Sequence, residues 1–267
     1  MNTTSSALIL ALTVILAVSN LKSCLAADDD GAILVLGDSW ASLSESFLAG
    51  VCSLGSSSEG SRPLTNNGIS GSTAKEWASG ENAVESFQKA KYDYDYVWIS
   101  LGGNDFNCDK SIHDDIADNI LKVITDVFES SNNDDIKVLY TGYGYPSENI
   151  CGGGSGVDVT PIFDDLSTTV REKIEKSSYA DKVLTIDILS LFVTKDSEPY
   201  SDKAWYADDI HINEAGYAKL FSKSELQQFF GCSGGSYDEG SPPASSSAIV
   251  STSAMTLFAL TIFYLIF

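Results

Sequence analysis

Short runs of bulky apolar residues alternate along the chain with longer segments in which apolar residues recur every three or four positions. The apolar runs occupy residues 32–36, 96–101, 136–141 and 183–188. Runs of this length, bounded by turn residues, are typical of strands buried on both faces of a parallel sheet. A shorter strand is predicted within residues 63–73. The pattern therefore predicts about five strands.

The intervening segments have the spacing of amphipathic helices. They cover residues 43–51, 74–90, 112–127, 160–174 and 213–230. Ser111 and Asp114 form a plausible capping pair for the third helix, and Asn213 is predicted to cap a single last helix that ends at Phe230. Strands and helices that alternate in this way predict an α/β fold, with a parallel sheet covered by helices on both faces.

Both ends of the chain have the composition of processing segments. Residues 1–26 are typical of a secretory signal peptide, with an apolar stretch over 7–18 and small residues near Ala26, although the first residues lack Lys and Arg. An uncleaved anchor helix is the alternative. Residues 27–232 are predicted to form one domain. Residues 233–267 combine small residues, a Ser/Pro spacer and an apolar tail, the pattern of a GPI-attachment signal.

A transmembrane tail is the alternative at the C-terminus, and with either anchor we expect the protein to be secreted or held on the extracellular face of the plasma membrane. The formal net charge is −21, from 37 acidic and 16 basic residues. A field of this sign repels phosphate backbones and anionic lipid. We therefore expect no nucleic-acid partner, and membrane contact through the C-terminal anchor alone. The oligomeric state is left open.

The cysteines fit an oxidising compartment. Of the five, Cys24 would leave with the signal peptide, and the other four allow two disulfides in three pairings. Cys108 and Cys151 both follow strand ends at one edge of the sheet, which favours their pairing and would leave Cys52 to pair with Cys232. No two cysteines have metal-ligand spacing, and the chain has two histidines, so no metal site is expected.

Polar residues follow the strand ends at the edge where open α/β sheets bind ligands. The clusters are Asp38-Ser39 after the first strand, Gly71, and residues 102–105 after the strand over 96–101; a later loop adds Asp208 and His211. A serine hydroxyl becomes a nucleophile when a histidine removes its proton, and a carboxylate on the other ring nitrogen holds that histidine in the required tautomer. Ser39, His211 and Asp208 are therefore the predicted catalytic residues.

An acyl-transfer site also needs donors for the oxyanion of the transition state. The candidates are the N–H of Ser39, the N–H of Gly71, where the lack of a side chain allows close approach, and the side-chain amide of Asn104. His113, the other histidine, is predicted to be a solvated residue of a helix surface.

In order along the chain, these blocks resemble the SGNH hydrolases of the GDSL esterase/lipase superfamily. The matching residues are Ser39, Gly71, Asn104 and His211, within Gly37-Asp38-Ser39, 67–71, 102–105 and 208–211, and the resemblance covers residues 32–230. It implies a three-layer α/β/α sandwich with a flavodoxin-like parallel sheet of five strands, and a serine carboxylesterase that uses no metal or cofactor. Trp40 stands where the family usually has leucine.

The resemblance also assigns supporting roles. The family spacing favours Asp208 over Asp209 as the acidic member of the triad. Asp38 is expected to fix the turn that presents Ser39, and Asp105 to orient the turn that carries Asn104. Trp205 and Tyr206 either line the substrate pocket or pack the loop.

The expected function is that of an extracellular serine esterase. It would cleave short-acyl carbohydrate esters or lipid esters through an acyl-serine intermediate. An O-acyltransferase on the same site is one alternative, and a catalytically idle cell-surface binding protein is another.

Overall fold

Five parallel strands form one sheet in the order β2-β1-β3-β4-β5. They are β1 (Ala32–Gly37), β2 (Leu64–Asn66), β3 (Tyr94–Ser100), β4 (Lys137–Tyr140) and β5 (Val183–Thr185). The computed structural model describes residues 31–53, 62–106, 108–151 and 158–232. The predicted three-layer α/β/α architecture with a flavodoxin-like sheet is confirmed.

Eight α-helices cover the sheet within these described ranges. They are α1 (Ser39–Ser42), α2 (Glu45–Ala49), α3 (Ala74–Ser79), α4 (Asn82–Gln88), α5 (His113–Ser130), α6 (Thr160–Glu175), α7 (Glu214–Phe221) and α8 (Ser224–Phe229). None of them combines the length and the apolar character that a membrane span requires.

β1 is buried along its whole length, as its uninterrupted apolar sequence predicts. It pairs with β2 on one side and β3 on the other, so that Val35 lies between Asn66 and Trp98. Because side chains alternate along a strand, β1 contributes to a core on each face of the sheet. Its C-terminal end therefore has a fixed position, and that end presents the candidate nucleophile.

The two cores contain different sets of helices. Leu34 and Leu36 pack with α5, whose Ile120 and Ile124 are fully buried. Ile33 and Val35 pack on the opposite face, in a cluster with the following buried residues: Trp40, Trp98, Phe192, Tyr217, Phe221 and Phe230. The helix that begins at Ser39 is therefore anchored in this second core by Trp40.

The prediction of a single last helix over residues 213–230 is wrong, because this segment forms two helices, α7 and α8. Asn213 does cap α7, as predicted, by accepting a hydrogen bond from the N–H of Gly216. The helix then ends at Phe221, and Lys223 adopts an extended conformation before α8 begins. The side chain of Gln227 donates to the Phe221 carbonyl at 2.6 Å, which satisfies an acceptor that the break leaves without an intrahelical partner.

The predicted start of α5 is also wrong in detail. Ser111 and Asp114 do not form the predicted capping pair. Instead, Asp109 caps the turn before α5, because its side chain accepts a hydrogen bond from the N–H of Ser111 at 2.9 Å. A short 3₁₀ turn over Lys110–Ile112 follows, and α5 starts at His113.

His113 is buried rather than solvated, which corrects the surface assignment. Its Nδ1 lies 2.8 Å from Asp165 Oδ2 on α6, and its ring is 2% exposed. The first turn of α5 packs against α6, and a single-sequence pattern does not reveal that neighbour.

Two disulfides connect distant parts of the chain. Cys52 pairs with Cys232, and Cys108 pairs with Cys151, which confirms the favoured pairing. The predicted signal peptide, residues 1–26, and the predicted spacer and anchor, residues 233–267, lie outside the described residues.

Candidate active site

Ser39 lies at the carboxyl end of β1, as the first residue of α1. The turn depends on Gly37, whose φ of +136° is unfavourable for other residues, and where a Cβ would lie 1.9 Å from the carbonyl oxygen of Ser100. Asp38 caps α1 through a hydrogen bond from the N–H of Trp40 to Oδ1. The side chain of Ser39 is thus presented at the sheet edge by a strand, a glycine turn and a capped helix.

His211 reaches Ser39 from a loop near the end of the chain. Its Nε2 lies 2.9 Å from Ser39 Oγ, and its Nδ1 lies 2.7 Å from Asp208 Oδ2. An antiparallel bridge between Tyr206 and Ile212 closes this loop, together with a bond from the Ala207 N–H to the His211 carbonyl. The structure therefore brings the three predicted catalytic residues into one hydrogen-bonded chain.

Asp208 holds its own loop as well as the imidazole. Its Oδ1 accepts from the backbone N–H groups of Ile210 and His211 at 2.8 and 2.7 Å. Partial burial raises the pKa of Asp208, but the backbone and ring hydrogen bonds from His211, with the Ile210 amide, outweigh burial and lower the pKa below its ordinary value. An ionised carboxylate accepts hydrogen bonds, so Nδ1 of His211 carries the ring proton and Nε2 faces Ser39 as an acceptor.

Asp209, the other candidate acid, points to different partners. Its Oδ1 lies 3.3 Å from the hydroxyl of Ser147 and 3.7 Å from the ammonium group of Lys203. The carboxylate that contacts His211 is therefore that of Asp208.

The candidate oxyanion donors come from three loops. As the first residue of α1, Ser39 has a backbone N–H without an intrahelical acceptor. Gly71 has a φ of +83°, and the space where a Cβ would stand is open. Asn104, in a 3₁₀ turn over Gly103–Asp105, donates one side-chain N–H to the carbonyl of Ser72 at 2.9 Å, which joins its loop to that of Gly71.

Asp105 fixes the Asn104 turn by binding the start of α3. Its carboxylate accepts from the N–H groups of Ala74 at 2.6 Å and Lys75 at 3.3 Å. Burial raises the pKa of Asp105, and these two hydrogen bonds oppose the rise. These hydrogen bonds join the Asn104 turn to the first turn of α3.

Asp38 is a fully buried carboxyl group directly before Ser39. Its Oδ2 accepts from the hydroxyl of Tyr143, and Oδ1 from the Trp40 amide. Burial raises the pKa of Asp38 to about 8, against the effect of the Trp40 hydrogen bond and with a contribution from the negative charge of Asp105. Burial therefore favours the protonated, uncharged form of the carboxyl group that precedes Ser39.

A cavity of about 80 Å³ opens beside Ser39 and His211. Its other lining residues are Gly103, Asn104, Tyr143, Gly144, Pro146, Ile150, Phe163 and Ile210. Sequence reasoning missed Tyr143, Ile150 and Phe163 as parts of the site. Tyr143 lies in a glycine-rich segment after β4, and that position at the active edge was the one signal that could have identified it.

Trp205 and Tyr206 pack the loop instead of lining this cavity. The Trp205 ring lies under the ammonium group of Lys219 at 4.3 Å, and the buried Tyr206 donates to the carbonyl of Tyr145 at 2.6 Å. Among residues 31–53, 62–106, 108–151 and 158–232, no three His, Cys, Asp or Glu side chains are arranged to hold a metal ion.

Comparison with protein families gives one match that spans most of this fold. The model of the GDSL-like lipase/acylhydrolase family matches residues 35–219, from β1 into α7. Comparison with curated proteins gives no match.

Solved structures with the same fold include several esterases and lipases. A GDSL-like lipase from Bacteroides thetaiotaomicron is 15% identical over 76% of this chain and 89% of its own, with a TM-score of 0.50. A carbohydrate esterase family 3 protein from Talaromyces cellulolyticus is 18% identical over 75% and 98%, with a TM-score of 0.50. An acetyl esterase mutant solved with an acetate ion is 19% identical over 75% and 98%, also with a TM-score of 0.50. At these identities the likeness is one of fold.

Proposed function

The chain belongs to the GDSL-like lipase/acylhydrolase family, and from that premise we propose that it is an extracellular serine esterase that cleaves short-acyl esters. The observation that carries the proposal is the continuous hydrogen-bonded chain from Asp208 through His211 to Ser39. Each member has the chemistry that acyl transfer to a serine requires.

The proposed reaction has two halves. In the first, Nε2 of His211 takes the hydroxyl proton as Ser39 Oγ attacks the ester carbonyl, and the same proton is then given to the leaving alcohol. In the second, His211 takes a proton from water, the resulting hydroxide attacks the acyl-serine, and the free acid leaves as Ser39 regains its proton. Asp208 stabilises the imidazolium that forms in each half.

The tetrahedral intermediates place negative charge on the former carbonyl oxygen. The N–H groups of Ser39 and Gly71 and the second side-chain N–H of Asn104 are the proposed donors. Each such donor contributes about 3 kcal/mol of transition-state stabilisation in comparable sites.

The size of the cavity supports a short acyl group. The cavity of about 80 Å³ beside Ser39 is small, and an acetyl or propionyl group is the kind of acyl group that we propose it accepts. A carbohydrate esterase and an acetyl esterase share this fold, which is consistent with acyl groups of this size.

The proposed location is the outside of the cell, with the C-terminal tail as the anchor. Two disulfides support this proposal, because such bonds persist in oxidising compartments.

Hydrolysis of p-nitrophenyl acetate tests the proposed activity. We expect Ser39→Ala and His211→Ala each to lower kcat by at least about 10⁴-fold, and a fluorophosphonate probe to label the native protein at Ser39. Ser46→Ala, on the exposed side of α2, is the control and should retain both activity and labelling. Full activity in the Ser39→Ala protein would refute the proposal, and quantifying free acid beside any acylated acceptor separates hydrolysis from acyl transfer.

A further inference from the structure

The cavity beside Ser39 has two walls that come from different segments of the chain. One wall follows β3 and contains Gly103 and Asn104. The other follows β4 and contains Tyr143, Pro146 and Ile150. The Cys108–Cys151 disulfide joins these two segments, with Cys151 directly after Ile150 and with the two Cα atoms 5.7 Å apart.

We propose that the Cys108–Cys151 disulfide determines the acyl-chain selectivity of the site by holding these two walls at a fixed separation. The proposal rests on the esterase function proposed above. It assigns to this disulfide a role in substrate selection that the Cys52–Cys232 disulfide does not share.

Phe106 connects the first wall to the cavity lining. Its ring centroid lies 4.3 Å from that of Phe163, which lines the cavity, and 6.5 Å from the ring of His113. His113 is itself paired with Asp165 across α5 and α6. The ring of Phe106 therefore packs against residues of both helices, and one of them, Phe163, lines the cavity.

Cys108 has a backbone conformation that a side chain disfavours. Its φ is +64°, in the left-handed region where residues other than glycine are uncommon. Such conformations persist where the surrounding structure imposes them, and they concentrate at functional sites. The covalent bond to Cys151 supplies that constraint within two residues of Phe106.

The oxyanion donor of the same wall is held independently of the disulfide. Asn104 is bonded to the Ser72 carbonyl, and the adjacent Asp105 is bonded to the first turn of α3. Loss of the disulfide is therefore expected to release the segments next to Cys108 and Cys151, which contain Phe106 and Ile150, while the hydrogen bonds of Asn104 and Asp105 remain. The consequence is a change in chain-length preference, rather than a general loss of activity.

The leaving alcohol must lie next to His211, whose side chain is 33% exposed. The acyl group then extends to the other side of Ser39, between the linked walls. One additional methylene in a tight apolar pocket changes kcat/KM by about 10- to 200-fold. A wall that moves by the width of a methylene would therefore produce a large change in the ratio of rates for long and short acyl esters.

The test compares two double variants, Cys108→Ala with Cys151→Ala, and Cys52→Ala with Cys232→Ala. The second pair is the matched control, since it removes a disulfide that does not join the segments after β3 and β4 that form the two walls. We measure kcat/KM for p-nitrophenyl acetate and hexanoate. The expected result is a hexanoate-to-acetate ratio at least about tenfold above wild type in the first variant, acetate hydrolysis within about threefold, and an unchanged ratio in the control.

Three results would overturn the inference: an unchanged ratio in the first variant, an equal change in both variants, or loss of acetate and hexanoate hydrolysis together in a folded protein. If the first variant does not fold, as judged by circular dichroism, brief reduction and alkylation of the wild type provides the same measurement. Cys52 is buried, whereas Cys108, Cys151 and Cys232 are partly exposed, so mass mapping of the alkylated cysteines must show which bond was reduced, and only protein alkylated at Cys108 and Cys151 alone is used for the measurement.

Failure of the proposed function gives a different result. In that case the wild type would show no hydrolysis of either ester that depends on Ser39, and the function and the inference would both be rejected. If hydrolysis depends on Ser39 but the ratio does not depend on the disulfide, the inference alone is rejected.

Discussion

At the scale of single residues, the buried carboxyl group of Asp38 makes the stability of the protein depend on pH. Burial raises the pKa of Asp38 from 3.8 to about 8. Between these pH values the unfolded chain has lost the proton and the folded protein retains it. The free energy of unfolding therefore falls as the pH rises through this window, and the decline ends above about pH 8.

Replacing Asp38 by Asn should remove this pH dependence. Asn is uncharged at every pH; its amide oxygen can still accept from the Trp40 N–H, and its amide N–H can donate to the Tyr143 oxygen, which reverses the bond that the Tyr143 hydroxyl donates to Asp38. In urea unfolding at pH 5 and pH 8.5, we expect the stability of the variant relative to wild type to increase by roughly 4 kcal/mol between the two conditions. A difference that does not change with pH would contradict a raised pKa for Asp38.

Asp208 and Asp209 are adjacent carboxylates with different partners, and they provide a matched pair. Asp208 bonds to Nδ1 of His211 and to two amides of its loop, while Asp209 faces Lys203 and Ser147. We expect Asp208→Ala to lower kcat for p-nitrophenyl acetate by about 10³- to 10⁴-fold, because the imidazole loses its tautomer and orientation.

The Asp209→Ala variant should remain within about threefold of wild type, since exposed ion pairs contribute little. The two variants are compared by steady-state kinetics at one pH, with circular dichroism as the check on folding. If Asp209→Ala caused the larger loss, the acidic member of the triad would be misassigned.

At the scale of elements, Asn213 connects the start of α7 to the loop that carries Asp208 and His211. Its Oδ1 accepts from the Gly216 N–H to cap α7, while its Nδ2 donates to the carbonyls of Ala204 and Tyr206 at 2.8 and 3.3 Å. These two functions use different atoms of one side chain, so two substitutions can separate them.

We expect Asn213→Ala to lower the free energy of unfolding by about 1 kcal/mol or more, through loss of the cap, and also to lower kcat. Asn213→Asp should keep the cap, because a carboxylate accepts from the Gly216 N–H, but it removes both donors to the loop before His211. The expected result is near-native stability by urea unfolding with reduced kcat. Equal kcat in the Asp variant and wild type would mean that the loop is held by other contacts.

The elements that sequence predicts best are those whose pattern depends on burial alone. β1 is apolar and buried along its length, so its apolar sequence is enough to predict a strand in the centre of the sheet. The contact between Asp208 and His211 could also be predicted, because the two residues are close in sequence and meet in a local turn.

The features that sequence reasoning missed depend on contacts between distant segments. The break between α7 and α8 is stabilised by a Gln227 side chain that bonds to Phe221, and the same side chain bonds to the carbonyl of Val51. His113 is buried because α6 covers it, and Tyr143 enters the site because its hydroxyl reaches Asp38. Neither periodicity nor local propensity contains this information.

At the scale of the whole molecule, the two disulfides close loops of very different length. Cys52 and Cys232 are separated by 180 residues, and Cys108 and Cys151 by 43 residues within that span. A crosslink stabilises a protein mainly by restricting its unfolded chain, and the effect grows with the logarithm of loop length. The chain-entropy relation gives about 5 kcal/mol for the longer loop and about 4 kcal/mol for the shorter one, before strain and residual structure reduce both.

Stability and selectivity should therefore depend on different disulfides. We expect the double alanine variant at Cys52 and Cys232 to lose more free energy of unfolding in urea than the variant at Cys108 and Cys151, by about 1 kcal/mol. Cys52 is also 6% exposed within the core, so its truncation leaves a small cavity that adds to the loss. The opposite order of stabilities would show that the Cys108–Cys151 link contributes mainly to the native fold, and any change in acyl preference on its removal would then follow from general loosening rather than from a released wall.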